Sequence, residues 1–301
     1  MTELERDSDF EYMDNYARRR NASFEYNNFI QAIKSKSNQA IEITKVFELL
    51  ELLLSSKDCV CLETLPKGKH LFRGRRMNID ECLMLNKIQV DDDGFIHGFD
   101  KYDSKEPPLT VPTSGRNNIS GMSYLYLAAE RYTACAEIKP IRGTEVSLAT
   151  FKTNRALKVF NLSDNVNVKE YKDFGDKHYL SVPHLLTLIM QAFYSPVYDR
   201  EGYAVTQYIS DLVRKHGFDA LGYRSYISQG KNYTVFNCCE SNISFVSSEI
   251  VYVGQQLYDF RKINSGKKLK RPTASNPNFE ERIRRIKNYI FNSTRHFDSI
   301  K

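Results

Sequence analysis

The chain lacks any long apolar run. None of its 301 residues lies in an uncharged apolar stretch of the ~18 residues that a membrane-spanning helix needs. The strongest candidate, residues 46–54, is interrupted by Glu48 and Glu51. The first fourteen residues are acidic and lack the basic-then-apolar order of a signal peptide. We therefore expect a cytoplasmic protein with no membrane partner.

The sequence also lacks the ligand spacings of metal sites. None of the six cysteines forms a Cys-x-x-Cys pair, and the six histidines form no His-x-x-x-His cluster. The sequence therefore predicts reduced, buried thiols and no metal. These cysteines are Cys59, Cys61, Cys82, Cys135, Cys238 and Cys239.

Three common catalytic signatures are missing as well. No Gly-x-x-x-x-Gly-Lys-Ser/Thr loop is present, which excludes a P-loop nucleotidase. The spacing of Gly115 and Gly121 differs from the dinucleotide-binding turn of Rossmann folds, and no Gly-x-Ser-x-Gly elbow supports a serine hydrolase.

Charge and periodicity divide the chain into three predicted parts. Residues 1–65 show apolar positions three and four apart, which predicts a helical N-terminal appendage. Residues 66–260 mix strand and helix patterns and form the predicted catalytic domain. Residues 261–301 contain a basic linker followed by a predicted helix. The net charge of +6 permits a phosphate-rich ligand or an acidic partner, and it leaves nucleic-acid binding open.

The most informative segment is residues 115–137, GRNNISGMSYLYLAAERYTACAE. A Gly-Arg turn offers backbone N–H groups and a guanidinium to a phosphate-bearing ligand. The apolar run at 124–128 predicts a strand, and residues 131–138 predict a helix that ends near Glu137. Strand, turn and helix together would hold Arg116, Tyr126 and Glu137 around one cleft.

This segment resembles the RES domain family. Residues 70–73 resemble the family's opening strand, which ends on its arginine, here Arg73. Residues 217–225 resemble the strand that carries its serine, here Ser225. Gly230, Asn232 and Phe236 fit the hairpin after that strand. Two departures are Asn117, where an aromatic is common, and the insertion at 77–114. The residues that fit the central pattern are Gly115, Arg116, Asn118, Gly121, Tyr126, Ala128, Ala134 and Glu137.

The resemblance implies an α+β fold related to the ADP-ribosyltransferases, with helical additions at both ends. It also implies that NAD+ is consumed as a substrate and is not a cofactor. On that basis Glu137, Arg73 and Ser225 are the expected catalytic residues. The expected NAD+-binding residues are Arg116, Tyr126, Asn118 and Gly115.

Three functions remain open at this stage. The first is destruction of NAD+ by a glycohydrolase or phosphorylase that acts as an intracellular toxin or defence effector. The second is transfer of ADP-ribose to a protein or nucleic acid. The third is a non-catalytic nucleic-acid-binding module that uses the basic C-terminal segment. An antitoxin or other inhibitor protein and a homo-oligomer are the expected partners.

Overall fold

One mixed eight-stranded sheet organises the structure. A computed structural model describes residues 3–57, 59, 61–85, 88–90, 96–106, 114–163, 182–197, 201–228 and 230–254. The predicted C-terminal helix and basic linker at 261–301 lie outside these residues. The strands of the sheet are β1 (Leu62–Leu65), β2 (His70–Met77), β5 (Leu125–Ala128), β6 (Glu145–Thr153), β7 (Leu157–Leu162), β8 (Ala220–Arg224), β9 (Lys231–Val235) and β10 (Ile243–Tyr252).

The sheet order is β1-β7-β8-β9-β5-β2-β6-β10. Strands β7 and β8 run parallel, and the other neighbouring pairs are antiparallel. A separate hairpin joins β3 (Ile88–Val90) and β4 (Ile96–Phe99). The described part of the chain is therefore a mixed α/β structure, in agreement with the predicted α+β class.

Eight α-helices and one short 3-10 helix (Glu201–Tyr203) are described. Thr44 begins one of them by accepting a hydrogen bond from the backbone N–H of Phe47, as an N-cap residue does. No described helix is long and apolar enough to cross a membrane. The helices are α1 (Glu3–Lys34), α2 (Asn38–Glu42), α3 (Lys45–Ser55), α4 (Ile79–Met84), α5 (Lys101–Ser104), α6 (Arg131–Glu137), α7 (Val182–Tyr194) and α8 (Ala204–Lys215).

The two faces of the sheet bury different side chains, because successive residues of a strand point to opposite faces. In β7, Phe160 packs with helices α1, α3, α7 and α8, whereas Val159 packs into a second core. In β8, Leu221 and Tyr223 join the first core and Ala220 joins the second. We call the side covered by these helices the helical face and the other side the opposite face.

The N-terminal helices belong to the core on the helical face. Phe29, Val46 and Leu50 are fully buried and cluster with residues of α7, α8, β7 and β8. The last four residues of the predicted appendage form β1, which pairs with β7. The boundary predicted at residue 65 itself stays a prediction.

All six cysteines are free thiols, as the sequence predicts. Their burial differs from the prediction, since Cys239 is exposed and Cys135 and Cys238 are only partly buried. Cys239 lies in the loop between β9 and β10, and its sulfur contacts the hydroxyl of Ser241.

Candidate active site

The Gly-Arg turn is built around the hydroxyl of Tyr126. This hydroxyl donates to Asn118 Oδ1 at 2.6 Å and accepts from the backbone N–H of Asn117 at 3.1 Å. A Cβ on Gly115 would lie 2.5 Å from Asn118 Oδ1 and 2.8 Å from the Tyr126 hydroxyl. Only glycine fits this close approach. The predicted residues Gly115, Asn118 and Tyr126 therefore form one compact unit.

Helix α8 holds the turn from the other side. Gln207 Nε2 donates to the backbone carbonyls of Gly115 at 2.7 Å and Asn118 at 3.1 Å. Burial raises the pKa of Tyr126 above its ordinary value, so its phenol is neutral at physiological pH.

The Arg116 guanidinium donates hydrogen bonds to backbone carbonyls at the C-terminal end of helix α7. Its Nη1 donates to the carbonyl of Ala192 at 2.9 Å, and its Nη2 donates to that of Ser195 at 3.0 Å. The guanidinium also lies over the ring of Tyr203, 5.3 Å from its centroid. Both terminal nitrogens thus bind carbonyls that a helix C-terminus leaves without intrahelical partners.

Glu137 ends helix α6 with its side chain exposed, and a buried amide holds its carboxylate. Asn232 Nδ2 donates to Glu137 Oε1 at 2.6 Å, whereas Asn232 itself is only 5% exposed. Charge-assisted hydrogen bonds of this length are among the strong ones in proteins. The carboxylate is therefore fixed in position and open to solvent at the same time.

Helix α6 comes close enough for this contact because of Gly74. A Cβ at Gly74 would lie 2.5 Å from the carbonyl oxygen of Ala134. Arg76 fixes the end of the helix, since its Nε and Nη2 donate to the carbonyl of Ile138 at 2.9 and 2.7 Å. Its Nη2 also donates to the carbonyl of Lys139 at 2.8 Å. Strand β2 therefore positions the residue that carries the carboxylate.

Register places a row of polar residues on the helical face beside Glu137. Asn232 lies opposite Tyr223, and Thr234 lies opposite both Leu221 and Tyr126. Because residues directly opposite one another share a face, Tyr126, Thr234, Tyr223 and Asn232 all lie on the helical face. Burial raises the pKa of Tyr223 to about 12, and the nearby Glu137 carboxylate acts in the same direction.

Arg73 lies on the opposite face of the sheet. Its register partner is Ala149, which packs in the second core, whereas its neighbour Phe72 pairs with Ala128 on the helical face. The Arg73 guanidinium donates to the carbonyls of Ser104 and Lys105. Burial lowers the pKa of Arg73 to about 10, with a smaller contribution from Arg75. The structure does not bring Arg73 to the face that carries Glu137.

Ser225 is buried in the turn between β8 and β9. Its hydroxyl oxygen accepts hydrogen bonds from the backbone N–H groups of Ile227 and Ser228, both at 3.1 Å. Its own N–H donates to the carbonyl of Gly230 at 2.7 Å. The serine therefore shapes the hairpin whose second strand carries Asn232.

The structure thus brings Gly115, Asn118, Tyr126 and Glu137 to one face, with Arg116 tied into the same turn. Sequence reasoning overlooked Asn117, Asn232, Thr234 and Tyr223 as members of this site. The available signals were weak, because Asn232 matched only the hairpin pattern and Asn117 stood out only as a departure from the family. Within the described ranges, no group of three His, Cys, Asp or Glu residues is arranged to hold a metal ion.

The chain is similar to known proteins in two respects, a solved structure and a family model. A search of curated proteins finds no match. Among solved structures, one match is a chain of the M. tuberculosis MbcT–MbcA toxin–antitoxin complex, at 12% identity and a TM-score of 0.37. The alignment covers 69% of this chain and 94% of that chain. A scan of protein families matches residues 96–252 to the RES domain, a span that includes Glu137 and Ser225 but not Arg73. Because this match covers more than half of the sequence, the chain belongs to the RES domain family.

Proposed function

We propose that this protein cleaves the nicotinamide–ribose bond of NAD+ and acts inside the cell as a toxin or defence effector. The observation that carries the proposal is the exposed Glu137 carboxylate, fixed at 2.6 Å by a buried amide beside Tyr126 on one face of the sheet. Membership of the RES domain family supports NAD+ as the substrate.

The chemistry requires little from the protein beyond placement and charge. As the bond from C1′ of the ribose to the pyridinium nitrogen breaks, its electron pair returns to the ring and nicotinamide leaves as a neutral molecule. The ribose then carries positive charge in an oxocarbenium-like state. A carboxylate next to that charge stabilises the transition state more than the ground state. In our proposal Glu137 supplies this carboxylate.

The reaction ends when an oxygen nucleophile bonds to C1′. Water gives ADP-ribose and releases one proton, whereas phosphate gives the 1″-phosphate ester of ADP-ribose. Glu137 is exposed, so solvent reaches its carboxylate directly. The proposal covers both acceptors, and product analysis decides between them.

The turn residues take supporting roles in this proposal. The Tyr126 hydroxyl is already bonded to Asn118 and Asn117, so we assign Tyr126 a contact with the nicotinamide nucleoside through its ring. Arg116 donates both terminal nitrogens to α7 carbonyls, so we infer that it aids binding chiefly by fixing the turn. For Arg73 and Ser225 we propose positioning roles, through the loop at 104–105 and the β8–β9 turn.

Incubation of the purified protein with NAD+ tests the proposal. We expect free nicotinamide and, in stoichiometric amount, either ADP-ribose or its 1″-phosphate, depending on whether phosphate is present. Labelled NAD+ that becomes attached to protein or nucleic acid would instead indicate ADP-ribosyl transfer. Absence of nicotinamide release under both conditions would overturn the proposal.

An enzyme that empties a shared NAD+ pool needs restraint, so we also expect an inhibitor protein. Residues 261–301 carry a dense set of lysines and arginines that would attract an acidic inhibitor. An association rate that falls steeply with ionic strength would support this attraction.

A further inference from the structure

A buried acceptor on the helical face lacks a partner. Asn117 is only 1% exposed, and its Nδ2 donates to Thr234 Oγ1 at 2.6 Å. Its Oδ1 is buried and has no hydrogen-bond partner in the part of the chain that the structure describes. Buried polar atoms are almost always paired, so an unpaired one indicates a bound water or ligand group.

The position of this acceptor relates it to Glu137. Thr234, which anchors Asn117, lies two residues along β9 from Asn232, which holds Glu137. At the rise per residue of a β-strand, the Cα atoms of Asn232 and Thr234 lie roughly 7 Å apart. A comparable distance separates the carboxamide of nicotinamide from the hydroxyls of the attached ribose. Tyr126 lies opposite Thr234 and contacts the backbone of Asn117, so an aromatic ring adjoins the same spot.

We propose that Asn117 Oδ1 accepts a hydrogen bond from the carboxamide N–H of nicotinamide, which makes Asn117 a specificity-determining residue. This inference rests on the proposed NAD+ cleavage and adds the group by which the leaving moiety is recognised.

Chemistry predicts which analogue the site rejects. A carboxylate in place of the carboxamide has no N–H to donate and brings a negative charge against a buried oxygen acceptor. Sites that hydrogen-bond a substrate group discriminate strongly against analogues that lack it. A water molecule bound to Asn117 Oδ1 would produce no such discrimination, because it bridges equally to either group.

Calorimetric titration with nicotinamide and with nicotinic acid tests the inference without any need for turnover. We expect the wild-type protein to prefer nicotinamide by roughly tenfold or more. Asn117→Leu should reduce that preference to near unity. Asn117→Asp retains oxygen acceptors, and the Thr234 hydroxyl can donate to one carboxylate oxygen in place of the bond that Asn117 Nδ2 donates. This variant should therefore keep the preference. Asn154→Leu, which removes a partly buried amide between two other loops, is the matched control.

The same variants are then compared in kcat/KM for NAD+ and for nicotinic acid adenine dinucleotide. Equal discrimination by the wild-type and Asn117→Leu proteins, with unchanged melting temperatures, would overturn the inference and leave NAD+ cleavage intact. Failure of the wild-type protein to bind nicotinamide would also overturn it. If the wild-type protein binds nicotinamide selectively but does not cleave NAD+, the proposed function is wrong and the inference about Asn117 stands. If Asn117→Leu has a lowered melting temperature, Asn117→Asp provides the test instead. Loss of the preference for nicotinamide in Asn117→Asp would contradict the inference.

Discussion

A hydrogen bond from the buried amide of Asn232 holds the Glu137 carboxylate. Its donor, Asn232, is buried in β9, which lies between β8 and β5 in the sheet. Misplacement of a catalytic group by about 1 Å can lower a rate by roughly 10²-fold, so we expect the Asn232 amide to affect the proposed reaction more than folding.

We therefore predict that Asn232→Leu lowers kcat by roughly 10–100-fold with little change in KM for NAD+. Asn232→Asp places a second carboxylate against Glu137, so the acid limb of its pH–rate profile should move to higher pH. Steady-state kinetics across pH measure both effects, and Asn154→Asp serves as the control. A pH profile that matches the wild-type profile in Asn232→Asp would contradict the positioning role.

Gly115 illustrates a residue whose role is steric. We predict that Gly115→Ala lowers the free energy of unfolding by about 1–3 kcal/mol, because its Cβ would collide with Asn118 and Tyr126. Gly254→Ala is the control, since a Cβ there meets only a Tyr252 ring carbon at 4.0 Å. Denaturant unfolding measures the difference, and equal stability of the two variants would show that the turn relaxes easily.

At the scale of elements, helix α6 is short and has no side-chain N-cap bond, so its position depends on contacts from β2. Arg76 supplies three hydrogen bonds to the carbonyls at its C-terminal end. This end carries Glu137, which links the geometry of β2 to the chemistry proposed for α6.

We predict that Arg76→Ala lowers NAD+ turnover by roughly tenfold while the protein loses only about 0.3–1 kcal/mol of stability. Arg75→Ala is the matched control, because Arg75 lies on the opposite face over the ring of Phe99. Turnover and thermal melting are measured side by side. Equal NAD+ turnover in the two variants would show that the contacts of Arg76 with the end of α6 do not affect activity.

The positions of strands and helices were largely predictable from the sequence. The face of the sheet on which a strand residue lies was not. Periodicity and turn residues located β5 and α6 within a residue or two, because hydrophobic spacing and glycine positions are local signals. The face of Arg73 depends on register with β5 and β6, which no local pattern encodes. A shift of one residue exchanges the faces of a strand, so Arg73 and Phe72 could not be told apart.

The partners of Arg116 were unpredictable for a related reason. Its guanidinium meets carbonyls 76 and 79 residues away, at the end of α7. Sequence reasoning recognised an arginine suited to phosphate, and helix C-termini offer the same arginine an alternative set of acceptors. The unpaired oxygen of Asn117 likewise results from packing between distant segments.

At the scale of the whole molecule, the N-terminal helices are part of the core on the helical face of the sheet. Phe29, Val46 and Leu50 are completely buried against helices and strands of the remaining chain. Deletion of residues 1–65 should therefore abolish cooperative unfolding, whereas deletion of 261–301 should leave NAD+ cleavage intact. Circular dichroism melts and nicotinamide release check the two truncations. A folded, active chain without residues 1–65 would contradict this view.

The proposed role in the cell makes a whole-cell prediction. Expression of the wild-type protein should arrest growth, and the NAD+ pool should fall before growth stops. Glu137→Gln should relieve both effects at equal protein level. Growth arrest with an undiminished NAD+ pool would favour modification of a macromolecule.

The central claim is that the Glu137 carboxylate stabilises the charge that develops on the ribose of NAD+. The most direct measurement is single-turnover nicotinamide release by Glu137→Gln, with Glu48→Gln as an exposed-carboxylate control paired to Lys45. Glutamine keeps the volume and an oxygen acceptor for Asn232 but removes the charge. We predict a rate lower by roughly 10²–10³-fold in Glu137→Gln, with unchanged melting temperature and a normal rate in Glu48→Gln. Nicotinamide release at the wild-type rate in Glu137→Gln would contradict the central claim.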